Sequence, residues 1–160
     1  MTSPRKLLAT WFFVGYFPIA SGTAGTAAAV PFYALAVVLL RAGLGEGAAM
    51  WFAYAAGTIA FIALATWIAD CGERFWGRAD AGQIVIDEVA GYLVTMFLLP
   101  LSWKWAAAGF VAFRFFDVVK PWPANWFDRR MPNGLGVTMD DVCAGAYACL
   151  LLHLVRRLIA

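Results

Sequence analysis

Along residues 84–100 the chain reads IVIDEVAGYLVTMFLLP, an apolar run interrupted near its start by two adjacent acids. A helix that crosses a bilayer needs roughly 17–25 predominantly apolar residues. Four segments meet that need well, at 24–40, 47–69, 84–100 and 103–119, and a fifth, at 141–155, meets it less well. Residues 7–19 are apolar too, but they are short and broken by Gly15 and Pro18. They predict an interfacial or re-entrant piece. Their basic start and the small residues after them imitate a signal peptide, but more membrane protein follows, so the segment is expected to stay. The pattern predicts an all-α integral membrane protein. About four to five membrane-embedded helices and the N-terminal re-entrant or interfacial segment form a single domain over residues 1–160.

The connections alternate in length. RAGLGEG (41–47) and LSW (101–103) are tight, whereas residues 70–82 and 120–138 form longer polar loops. If the five segments cross in turn, Arg5, Lys6, Arg74, Arg78, Lys120, Arg129 and Arg130 fall on one side. Arg41, Lys104, Arg156 and Arg157 fall on the other. Cytoplasmic loops carry the excess of lysine and arginine, so the long loops are expected in the cytoplasm. The final pair runs against the rule, and the last helix is therefore expected to be short and shallow.

Composition strengthens the membrane reading: 63% of residues are hydrophobic and 14% charged, against about half and a quarter in soluble domains. A net charge of +2 without a basic run excludes a nucleic-acid partner. Three cysteines without a C-x-x-C pair, and a single histidine, leave no ordinary zinc site.

The acids are the candidate chemistry. Asp70, Glu73, Asp80, Asp87, Glu88, Asp117, Asp128, Asp140 and Asp141 all fall in the predicted cytoplasmic loops or at cytoplasmic helix ends, and Glu46 does not. Asp87 and Glu88 can be helix-start acids favoured by the dipole. An acid at depth, however, costs about 2.5–3.5 kcal/mol and is functional by default. Gly91 stands four residues after Asp87 and is expected to leave room above its carboxylate. In FRFFDVVKPWP, Arg114, Asp117 and Lys120 are spaced by three residues. They form either part of a site or a salt-bridged ladder at a helix end that Pro121 and Pro123 stop. Asp140 and Asp141 are expected to open a helix, where capping explains one acid better than two. Asp128 reads as a solvated loop acid paired with a neighbouring arginine. GTAGT (22–26) can offer backbone N–H groups and hydroxyls to an anion, or can serve as a flexible turn or small-residue packing.

Two unit charges about 4 Å apart interact by about 4 kcal/mol at an effective dielectric of 20, so acids gathered on one face need cations. Oxygen donors without histidine or cysteine suit Mg²⁺ or Mn²⁺. Arg114, Lys120, Arg129 and Arg130 suit a phosphate. Metal, phosphate and membrane interface together point to a phospholipid headgroup. The D-x-D-x-[TV] phosphatase pattern and the D-G-x-x-A-R pattern of CDP-alcohol phosphotransferases are both absent, and His153 lacks the setting of a histidine nucleophile.

GTAGTAAAVPF, IVIDEVAG, FRFFDVVKPWPANWFDRR and NGLGVTMDDVCAGAY, about half the chain, resemble in content and order the phosphatidylglycerophosphatase A family of the bacterial inner membrane. Small departures are Thr26 for the family's usual serine, Asn133-Gly134 for Gly-Gly, and Thr138 for a more apolar residue. The resemblance implies a Mg²⁺-dependent hydrolysis of phosphatidylglycerol phosphate to phosphatidylglycerol and phosphate, on the cytoplasmic face. It implies a metal site of one or two ions at Asp87, Glu88, Asp117, Asp140 and Asp141, with Asp80 outside them. Lys120 then joins Asp87, Glu88, Asp117, Asp140 and Asp141 in catalysis. Arg114, Arg129, Arg130 and the Gly22, Thr23, Gly25 and Thr26 turn hold substrate. The competing readings are a cation transporter, which would spread its acids along helices and on both faces, and a non-catalytic regulatory homologue, which would have lost an acid cluster.

Overall fold

The computed structural model describes residues 3–78 and 80–159, except the side chain of Glu73, whose place among the clustered acids therefore lies outside the described residues. Every regular element among them is helical. In chain order these are α1 (Pro4–Ala9), a 3₁₀ turn (Val14–Tyr16), α2 (Ser21–Leu44), α3 (Ala48–Ala69), α4 (Gly72–Trp76), α5 (Ile86–Thr95), α6 (Trp103–Val119), α7 (Ala124–Arg130) and α8 (Gly134–Ile159). Three of them, α2, α3 and α8, are long and apolar enough to cross a membrane.

The apolar run at 84–100 is not one long helix. Only Ile86–Thr95 is helical, and eight of its ten residues are buried. α5 packs on α8, α2, α3 and α6. A helix that is apolar on all sides is buried in either protein or lipid, and here its neighbours cover it. α6 starts where Ser102 accepts a hydrogen bond from Trp105 N at 3.3 Å, and its 17 residues leave it shorter than α2, α3 or α8.

The last helix is the longest rather than short and shallow, at 26 residues. It begins at Gly134, where Asn133 Oδ1 accepts from Gly136 N at 3.0 Å and Asp70 Oδ1, from the end of α3, accepts from Gly134 N at 3.1 Å. Both are side-chain caps of the kind that satisfies the free N–H groups of a first turn. Asp140 and Asp141 consequently lie well inside the helix rather than opening it.

The N-terminal segment does not span. Thr10 Oγ1 accepts from Phe13 N at 3.2 Å across a turn in which Trp11, Phe12 and Phe13 all have positive φ. Phe12, Phe13, Phe17 and Ile19 are exposed, as suits an interfacial piece. It helps fix the loop before α5, where Val85 N donates to Ala9 O at 2.9 Å, and the first residue of α2, Ser21, adds a bond from its Oγ to Gly82 O.

Three buried tyrosines knit the core. Tyr33 of α2 meets Tyr54 of α3 and Tyr92 of α5 edge to face, each at 6.1 Å between ring centres. Tyr54 Oη donates to Leu93 O at 2.8 Å and Tyr92 Oη to Ala106 O at 2.9 Å, so these two phenols find partners within the protein, whereas Tyr33 Oη is buried without one. α5 and α8 cross on glycine. A Cβ at Gly91 would stand 2.7 Å from Asp141 O and 2.5 Å from Phe113 Cε2, and one at Gly145 would collide with Gly91 O. The room beside Gly91 thus belongs to α8 and Phe113, not to the Asp87 carboxylate.

Candidate active site

The glycine crossing sets the acids of α5 beside those of α8. Asp87 and Glu88 occupy the first turn of α5, and Asp140 and Asp141 are buried in α8. One carboxylate oxygen each from Asp87, Glu88 and Asp141 lies within 4.8 Å of the others. Asp87 Oδ1 and Glu88 Oε2 are buried without a hydrogen-bond partner. A buried acceptor without a partner costs about 1–3 kcal/mol, and more when charged, so these oxygens are the natural seat for a cation. The donors are all oxygen, which fits a hard divalent ion such as Mg²⁺.

Asp117, Asp128 and Asp140 are matched by cations of the protein itself. Arg114 and Asp117, one turn apart on α6, form an ion pair. Lys120 ends α6 in the left-handed conformation, with φ of 46°. Its ammonium meets Asp128 of α7 at 2.6 Å and also meets Asp140. Burial pulls the Lys120 pKa down, but hydrogen bonds and charge from Asp128 and Asp140 outweigh it and hold the value above the ordinary one. Lys120 is therefore a fixed cation. Asp140 Oδ1 also accepts from Asp141 N at 2.9 Å, which ties the Lys120 cluster to the neighbouring trio.

The acids of both clusters and Lys120 line a cavity of about 260 Å³, and Arg114 is not among its lining residues. Asp80, Asp87, Glu88, Asp117, Lys120, Asp140 and Asp141 all reach it, as do Arg78 and Asp128. Gly22, in the first turn of α2, lies so close that a Cβ there would collide with Glu88 Oε1 and stand 3.0 Å from Arg114 Nη1. Gly25 packs instead on Val85. Thr26 is buried, and its hydroxyl donates to Gly22 O at 2.9 Å within the helix. Thr23 is half-buried, in the same turn. GTAGT is therefore helix rather than a loop before one. Arg129 and Arg130 are exposed at the end of α7 and do not line the cavity.

Two pairings differ from those read off the sequence. Asp128 pairs with Lys120 rather than with an adjacent arginine, and Lys120 pairs with Asp128 and Asp140 rather than with Asp117. The cause is the turn at Lys120, which sends the chain into α7 and breaks the helical spacing. Nothing in the sequence around Arg78 marks it as a site residue. It sits in the loop between α4 and α5, and only the folded path of that loop brings it to the acids.

The family model described as phosphatidylglycerophosphatase A matches residues 7–156. The chain belongs to the phosphatidylglycerophosphatase A family. It is 36% identical to phosphatidylglycerophosphatase A of Escherichia coli, over 97% of this chain and 85% of that protein. With the protein of the same name from Haemophilus influenzae it shares 34% identity, over 98% of this chain and 91% of the other. A Bacteroides thetaiotaomicron relative, 35% identical over 96% of this chain and 94% of its own length, is provisionally named a phosphatidylinositol-3-phosphatase. No solved structure matches. All cavity-lining residues fall inside the stretch matched by the phosphatidylglycerophosphatase A model. With its three long apolar helices and bacterial relatives, the chain is a bacterial membrane protein.

Proposed function

We propose that this chain is a Mg²⁺-dependent lipid phosphatase of the bacterial inner membrane. It removes the terminal phosphate of phosphatidylglycerol phosphate to leave phosphatidylglycerol, with its cavity on the cytoplasmic face. Phosphatase activity follows from the family. The observation that carries the metal-dependent reading is the convergence of Asp87, Glu88 and Asp141, with two orphaned oxygens, in a cavity that also contains Lys120. The gathering of acids around one cavity speaks against an ion pathway along the helices, and the presence of every acid cluster speaks against a regulatory homologue.

Asp87, Glu88 and Asp141 are the residues that would hold Mg²⁺, with Asp117, Asp140 and Asp80 around them. When bound, the ion supplies charge that polarises the phosphomonoester and makes water a competent nucleophile. Lys120 has three N–H donors. Asp128 and Asp140 take two and orient the group, leaving the third for an oxygen of the transferring phosphoryl. Arg114, by neutralising Asp117, keeps a further negative charge from opposing the substrate. The acyl chains hold the headgroup at the depth of the cavity, so substrate arrives by diffusion in the membrane plane.

The test is phosphate release by purified protein in mixed micelles from phosphatidylglycerol phosphate, phosphatidic acid and phosphatidylinositol 3-phosphate. The expected result is a clear preference in kcat/KM for phosphatidylglycerol phosphate. A preference for the inositol lipid would move the assignment toward the Bacteroides relative's name, and no release from any lipid would overturn the reading.

A further inference from the structure

The proposed substrate carries two phosphates, a terminal monoester and the diester that links it to the lipid. The acids and Lys120 account for the first. The diester also needs a partner, because a cavity rich in carboxylates repels it. Lys120 is engaged by Asp128 and Asp140, and Arg114 by Asp117. At the α2 start Ser21 donates to Gly82 O and Thr26 to Gly22 O, and Thr23 is not among the residues that line the cavity. Arg129 and Arg130 do not line the cavity. Arg78 does, it is exposed, and among the described residues it has no ion-pair partner. Its planar guanidinium can grip two oxygens of one phosphate at once.

We propose that Arg78, at the rim of the acidic cavity, binds the phosphodiester of the lipid substrate and thereby selects a monoester that lies one glycerol unit beyond a diester. The inference rests on the phosphatase reading above and deepens it. Arg78 acts in binding and orientation, while Lys120 and the acids act on the monoester. Its loss should weaken the hold on substrate without slowing a correctly seated molecule.

The experiment uses the full chain, wild type, Arg78→Gln and Arg78→Lys, in mixed micelles. The substrate is phosphatidylglycerol phosphate. Phosphatidylglycerol, which has only the diester, and inorganic phosphate, which mimics only the terminal phosphoryl group, serve as inhibitors. Arg78→Gln should raise KM by about tenfold, the scale of one charge-assisted hydrogen-bonded contact, with kcat within about twofold. The inhibition constant of phosphatidylglycerol should rise by the same factor, and that of inorganic phosphate should stay put. Arg78→Lys should fall between the two, since lysine keeps the charge but loses the fork, and it carries the same readings should Arg78→Gln fail to fold. Unchanged KM, an equal rise for both inhibitors, or a fall in kcat at constant KM would each overturn the proposal. Failure of the wild type to release phosphate would instead overturn the phosphatase reading on which it rests.

Discussion

Asp140 and Asp141 are adjacent in α8 yet have different partners: Asp140 faces Lys120, and Asp141 faces Asp87 and Glu88. Their substitutions should therefore differ in kind. Asp87→Asn, Glu88→Gln and Asp141→Asn each keep shape but remove a charge from the trio, and each should lower kcat per folded enzyme by about a hundredfold or more. Asp128→Asn leaves Lys120 its second partner and should cost about tenfold or less. Glu46→Gln, whose carboxylate pairs with Arg41 at 3.2 Å away from the cavity, should match the wild type. These values are read as phosphate release by protein shown to be folded by size exclusion in detergent. Lys120 gives a pH prediction. Its folded pKa lies above the unfolded value, so the stability it contributes is complete below about pH 10.4 and is lost only as pH rises through the higher folded value. Lys120→Arg cannot titrate, and it should leave the basic limb of the pH–rate profile between pH 7 and 10 where it was. A shift of that limb would mean that Lys120 loses its proton in the working range. Asp87, Glu88 and Asp117 were legible in the sequence because each interrupts an apolar stretch where a charge is costly. Their partners were less so, since Asp128 and Arg78 reach the cavity through turns that no helical spacing describes.

The crossing of α5 and α8 joins the two acid pairs, and it depends on the absence of side chains at Gly91 and Gly145. Gly145→Ala would drive a Cβ into the Gly91 carbonyl, a backbone group that cannot swing aside. Overpacking of this kind costs about 1–3 kcal/mol, and the helices must part to relieve it. The expected outcome is a lower melting temperature in detergent together with a sharp loss of turnover per folded molecule. Asp70→Ala is the contrast. It removes the acceptor for Gly134 N at the start of α8, should cost about 1 kcal/mol as a lost cap, and should leave kcat per folded enzyme within about twofold. If both variants lose stability and turnover in the same proportion, the crossing has no special part in the site. Most helices were legible as apolar segments, but their lengths were not. α5 looks like a membrane span because burial in protein and burial in lipid demand the same residues. The start of α8 was hidden because Gly134 and Gly136 are poor helix formers, and caps from Asn133 and distant Asp70 offset that weakness.

At the scale of the molecule, the start of α2, the end of α3 and the start of α8 meet around the acids, while the α2–α3 turn at Gly45–Gly47 lies at their far ends. The excess of lysine and arginine at the cavity end argues for a cytoplasmic site. In a background with Cys143→Ser and Cys149→Ser, and with Cys71 buried, an impermeant thiol reagent should label Arg130→Cys only in inside-out vesicles. It should label Glu46→Cys only in right-side-out ones, and the reverse pattern would invert the topology. All-helical architecture and membrane embedding followed from composition and pattern alone. The lengths of the helices were less legible: α2, α3 and α8 are long and apolar enough to cross a membrane, while α5 and α6 are shorter. The central claim is that Asp87, Glu88 and Asp141 hold a divalent cation on which turnover depends. The most direct measurement is phosphate release from phosphatidylglycerol phosphate by protein stripped with EDTA and then titrated with Mg²⁺, for the wild type and Asp141→Asn side by side. The account predicts no release from the stripped wild type, full recovery on titration, and an Asp141→Asn curve at least about a hundredfold lower that needs more Mg²⁺. Full turnover in metal-free buffer, or a folded Asp141→Asn within threefold of wild type, would contradict it.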